Sequence, residues 1–242
     1  MPLFEWSFLI AGLVLQSMVL SVMLRGSWRR YPFLFSYLIL SFFSTVVEFS
    51  LRHYFGPLSK KFVGFYWAND FAATVLILMI IIHLIRMAME KHPYREPVYW
   101  GLLMGVAATA GLSIFLMPGH DWRLLYRYNK LMTEVGRDYY FSAVILCAVL
   151  WFVLVRNSRA STQLYLLTSG LGLKLTGAAI AHALRMVSHQ WLLSNCFLVA
   201  TYLLSLYVWY VGLKRAPTEA RVPGAAEPEE IPREVEPSSL RR

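Results

Sequence analysis

The sequence predicts an all-α protein that crosses a membrane, a polytopic bundle of seven spans with its N-terminus outside and its C-terminus cytoplasmic. Three observations predict it. Seven long apolar stretches follow one another: Phe4–Leu24, Pro32–Leu51, Phe62–Ile85, Val98–Met117, Tyr139–Val155, Leu164–Leu184 and Trp191–Leu213. A helix needs roughly 20 apolar residues to cross the hydrocarbon layer, and most of these stretches reach that length. The 242 residues are 57% apolar and only 15% charged, whereas a soluble domain carries charge nearer a quarter. Finally, Trp6, Trp28, Trp100, Trp122, Trp191 and Trp209 lie close to expected span ends, where interfacial anchors sit.

The first stretch has no Lys or Arg before it and Arg25, Arg29 and Arg30 after it. It reads as a retained helix with its C-terminal end in the cytoplasm, not as a cleaved secretory signal, which needs a basic region ahead of the apolar run. The second stretch carries Tyr37, Ser41, Ser44, Thr45 and Glu48, which share one arc at 3.6 residues per turn. The third carries Tyr66, Asn69, Asp70 and Thr74, and then Phe71–Ile85, apolar on every face as a helix packed on all sides would be. The fourth contains Gly101 and Gly105, a small-xxx-small pattern that lets helices approach closely.

Before the fifth stretch, Pro118 to Asp138 forms the longest connection. Its Trp122, Leu125 and Tyr126, mixed with Arg123, Arg127 and Lys130, predict a short interfacial helix. An early start of the fifth helix, near Lys130, is the alternative. That helix opens with Glu134, Arg137 and Asp138. The sixth carries Lys174, His182 and Arg185 on one arc, with Gly170, Gly172 and Gly177. The seventh carries Asn195, Tyr202 and Ser205, and residues 1–215 together form the membrane domain. Residues 216–242, with five Pro and six Glu, cannot bury enough apolar surface to fold alone and predict a disordered cytoplasmic tail.

The net charge of +9 is spread over short loops, where basic residues meet anionic headgroups, so no nucleic-acid partner is expected. Counting loop Lys and Arg gives a modest excess on the cytoplasmic side, in line with the first helix. Cys147 and Cys196 both fall inside spans and read as small core residues.

Ionisable groups inside spans normally face the bundle interior or water. In the expected orientation Glu48, Asp70, Arg137, His182 and Asn195 crowd the outer half, and only Lys174 sits near the midplane. Two readings follow. In one, Asp70 and Lys174 form an interhelical ion pair that holds the packing. In the other, Glu48, Asp70 and Lys174 line a polar pocket open to the outside, with Tyr66, Asn69, Arg137, His182 and Asn195 on its wall. Asp70 is the first expected partner of Lys174, then Glu48.

No catalytic or metal motif is present: there is no H-E-x-x-H helix, no G-x-S-x-G elbow and no converging set of histidines. No enzymatic activity, metal or cofactor is expected. Retinylidene proteins place their lysine in the last helix, and Trp191–Leu213 holds none. The run Tyr31-Pro32-Phe33-Leu34-Phe35-Ser36-Tyr37, with Phe65-Tyr66-Trp67-Ala68-Asn69-Asp70, resembles a pattern in uncharacterised bacterial seven-span membrane proteins. These are similar to the seven-helix sensor regions that precede histidine kinases. The resemblance implies an inner (plasma) membrane location and a separate cytoplasmic signalling partner. The function expected is binding or sensing of a small polar ligand from the outer side. The alternatives are a small-solute or proton-coupled transporter and a structural subunit of a membrane complex.

Overall fold

A computed structural model of the chain describes residues 3–56, 59–90, 92–115, 125–156, 161–188 and 191–219, with side chains over 7–56, 59, 61–90, 92–108, 140, 142–156, 161–181, 184 and 193–215. Seven α-helices appear among them: α1 (Leu3–Leu24), α2 (Pro32–Phe55), α3 (Lys60–Ala88), α4 (Arg95–Phe115), α5 (Leu125–Arg156), α6 (Thr162–Ser188) and α7 (Trp191–Glu219). A short 3-10 turn, Ser27–Arg29, joins the first two. Among the described residues, five helices are long and apolar enough to cross a membrane: α1, α2, α3, α6 and α7. In α5 the described apolar stretch is the shorter Ser142–Arg156.

Local chemistry sets the ends. Pro32 opens α2, where its missing N–H loses no bond and its fixed φ suits a first helical residue. Gly56 closes α2 at φ 78°, a conformation that side chains with a Cβ rarely adopt. Ser59 caps α3 by accepting from the Phe62 N–H at 3.2 Å.

The fifth helix begins at Leu125. The segment expected as a separate interfacial helix is therefore, from Leu125 on, continuous with α5, because no proline or glycine interrupts it before Gly136. Residues 116–124 of that connection lie outside the described residues. At the other end α7 continues to Glu219, past the expected boundary at residue 215, and takes Pro217 into its last turn. The rest of the expected tail, 220–242, lies outside the described residues.

Neighbouring helices close a ring in the order α1, α2, α3, α5, α6, α7 and back to α1. Helix α4 packs outside, against α3 and α5, and α3 touches α6 across the centre. The all-round apolar α3 thus takes the most surrounded position, as its composition requires.

The core is lopsided. At the end marked by Arg25, Arg30, Arg86, Arg95, Arg156 and Lys214, here the basic end, the interior is filled by Met23, Leu34, Leu38, Ile81, Ile85, Leu154, Leu167 and Leu213, all nearly inaccessible. Along α3 burial begins at Thr74 and runs to Ala88, while Asp70 and the residues before it keep accessible surface. An ion pair between Arg86 and Glu96 (2.9 Å) ties α3 to α4 at the basic end.

One anchor tryptophan is reassigned. Trp209, expected at the interface, is 1% exposed and donates its indole N–H to the Leu167 carbonyl at 3.0 Å. It fits because α6 has Gly170 there, and a Cβ at that position would stand 2.6 Å from the indole.

Candidate functional site

Helix α2 carries Tyr37, Ser41, Ser44 and Glu48 at spacings of four, three and four, so their side chains stack along one face. That stripe is about 16 Å long at 1.5 Å per residue. It turns into the ring, and each of its residues meets polar groups from other helices.

At the opposite end, α3 supplies the partner. The Asn69 amide donates to Glu48 Oε1 at 2.8 Å, and its carbonyl oxygen accepts from the Ser44 hydroxyl. Asp70 lies close enough for its charge to act on Glu48. From α5, Tyr140 comes close to the Thr74 side chain and within electrostatic reach of Asp70 and Tyr66. Thr74 also donates to the Asp70 carbonyl at 2.8 Å. Glu48, Asn69, Asp70, Thr74 and Tyr140 therefore form one polar cluster between α2, α3 and α5.

One level nearer the basic end, Gln16 of α1 donates to Ser41 Oγ (3.1 Å) and to the Tyr202 hydroxyl of α7, and Ser41 and Tyr202 are themselves 2.8 Å apart. Gln16 is 1% exposed, and its Oε1 finds no hydrogen-bond partner among the described residues.

Lys174 of α6 completes the stripe at Tyr37. Its ammonium donates to the Tyr37 hydroxyl, lies 3.9 Å from the centre of the Tyr37 ring and 5.5 Å from that of Tyr202. Tyr37 in turn packs edge-on against Trp209 at 6.1 Å.

The expected Lys174–Asp70 pair is not formed. The ion pairs among the described residues are Arg86–Glu96 and Arg95–Glu96. The cause is directional. Helix α6 starts at the basic end, and helical side chains lean toward their own N-terminus. Lys174 is carried toward the basic end, to Tyr37, while Asp70 and Glu48 lie up the stripe in the opposite direction.

Of the other expected site residues, Tyr66 is largely exposed and stacks on Phe62, with ring centres 6.3 Å apart. Asn195 is exposed near the start of α7. The side chains of Arg137 and His182 lie outside the described residues. The site also includes Gln16 and Tyr140, which sequence reasoning does not pick out. Gln16 stands among the apolar residues of α1, and a mid-span amide is the signal that marks it. Tyr140 stands at the start of an apolar run, where a tyrosine reads as an interfacial anchor, so nothing local marks it. No three His, Cys, Asp or Glu side chains converge to a metal-ligand group among the described residues.

Set against protein-family models, curated proteins and solved structures, the chain has no significant match to any of them.

Proposed function

We propose that the protein is a seven-span plasma-membrane protein whose half opposite the basic end forms a polar pocket, open to the outside, that binds or senses a small polar ligand. The basic end is then cytoplasmic, residues 1–215 form the membrane domain, and the remaining tail faces a separate signalling partner. One observation carries the reading. The α2 stripe meets polar groups from four further helices, Gln16 of α1, Asn69 of α3, Lys174 of α6 and Tyr202 of α7, and Tyr140 of α5 joins the same cluster through Asp70 and Thr74 of α3. Glu48, Asn69, Asp70, Tyr140 and Lys174 keep accessible surface, whereas the basic half beneath them is packed with apolar side chains. That asymmetry supports one-sided access, and so binding or sensing over the carrier reading, which needs a path from both sides. Tyr66, Arg137, His182 and Asn195 belong to the pocket's outer wall in this reading.

Accessibility tests it. With Cys147 and Cys196 replaced by alanine, cysteines introduced by Ser41→Cys and Glu48→Cys should react with a membrane-impermeant thiol reagent added outside. Leu38→Cys, beneath the pocket, should not. A folded Ser41→Cys protein that is inert from outside, or that reacts only from the cytoplasmic face, overturns the outward-facing pocket.

A further inference from the structure

The stripe of α6 that contains Lys174 is otherwise closed. Leu167, Leu171, Ala178 and Ala181, at seven and three residues before it and four and seven after, are each at most 7% exposed. They share its face of the helix. Lys174, in their midst, nevertheless keeps accessible surface. Ser41 shows the same pattern on α2, half-buried between buried Tyr37, Leu38 and Ser44, and so does Tyr202 on α7, beside buried Ser205, Leu206 and Trp209. These three exposures arise on inward faces of three helices, and the residues are linked through Tyr202: its hydroxyl meets Ser41, and its ring faces Lys174. Together they form a polar layer where α2, α6 and α7 meet.

Its chemistry is one-sided. An ammonium has three N–H donors, and among the described residues its acceptor is the neutral Tyr37 hydroxyl. No carboxylate among the described residues lies within ion-pair distance of Lys174. An uncompensated charge at this depth is costly, and ring faces offset only part of that. Glu48, at the far end of the stripe, stands about 16 Å from Tyr37 along α2 and is not within ion-pair distance of Lys174.

Resting on the pocket reading above, we infer that Lys174 is the anchor for the ligand's negative charge, and that the ligand is a small organic carboxylate. The carboxylate accepts from the two remaining N–H groups of Lys174 and from the Ser41 hydroxyl. The organic part lies against the rings of Tyr37 and Tyr202. Gln16 is a positioning residue: it holds the Tyr202 hydroxyl from behind.

The test uses the full chain, purified in detergent, with sodium acetate, succinate and benzoate as probes against sodium chloride at equal ionic strength. Thermal unfolding of the wild type should shift upward with the concentration of at least one carboxylate and not with chloride. Lys174→Met should weaken the apparent affinity about tenfold or more, the loss expected of a charge-assisted contact. Lys174→Arg should keep part of it, and Tyr37→Phe, which leaves the ammonium in place, should still respond. A shift equal in wild type and Lys174→Met, a response to chloride as strong as to any carboxylate, or no response in the wild type overturns the inference. Outside labelling of Ser41→Cys separates the two failures: if it persists, the pocket stands and only its ligand class falls; if it is lost, the pocket falls as well.

Discussion

Lys174 shows how much a single side chain's direction decides. Read from the sequence, a midplane lysine needs an acidic partner, and removing it should strand a buried aspartate. With the ammonium on Tyr37, the expectation reverses. Lys174→Met exchanges a charge in the bundle interior for an apolar chain of similar length, which removes the desolvation cost of that charge. Thermal unfolding of the purified protein should show Lys174→Met at least as stable as the wild type. A double-mutant cycle with Asp70→Asn should be additive within about 0.5 kcal/mol, as for residues that share no partner. Coupling beyond that would restore the ion pair. Asn69 is the opposite case. Its amide satisfies both Ser44 and Glu48, so Asn69→Ala should destabilise by about 1–3 kcal/mol, the penalty for stranding a half-buried polar group. A loss no larger than that of an exposed α2 substitution such as Phe43→Ala would remove Asn69 from the network.

At the level of helices, two similar sequence patterns have different uses. Gly101 and Gly105 of α4 face open space, with nothing within 4 Å of an added Cβ at either, whereas Gly170 and Gly177 of α6 lie against α7. A Cβ at Gly177 would meet the Thr201 Cβ at 2.5 Å, and one at Gly170 would meet the Trp209 indole. Gly177→Ala should therefore cost about 1–3 kcal/mol through overpacking. Gly101→Ala should be neutral or stabilising by up to about 1 kcal/mol, since alanine favours helix. Equal effects of the two in a thermal-unfolding comparison would contradict the α6–α7 packing. The spacing of small residues marks both helices equally; only the neighbour opposite each glycine distinguishes them. The same holds for Trp209, whose place near a span end reads as an anchor until Gly170 opens room for it in the core.

Over the whole molecule, six helices enclose an interior that is apolar toward the basic end and polar toward the other, with α4 on the flank. The proposed seven spans would put the termini on opposite faces, and the N-outside proposal has a direct check. In the background without Cys147 and Cys196, Tyr54→Cys on the far side of α2 should label from outside in intact cells. Tyr94→Cys before α4 should label only after permeabilisation; both positions are well exposed at 79% and 64%. Reversed labelling would overturn the proposed orientation and put the proposed pocket on the cytoplasmic face.

Hydropathy alone was enough to reveal an all-α chain with helices long enough for a bilayer and to place most helix ends within a few residues, because an apolar run of that length is a property of composition along the chain. The 3.6-residue repeat also made the α2 stripe and the polar face of α3 legible, since which residues share a helix face depends only on their spacing. Partners are another matter. That Asn69 serves Glu48, that Gln16 and Tyr202 meet at Ser41, and that Lys174 turns toward Tyr37 and away from Asp70 depend on the order of helices around the ring, their relative heights and the lean of each side chain. These are set by packing between segments far apart in the chain, and no local pattern encodes them.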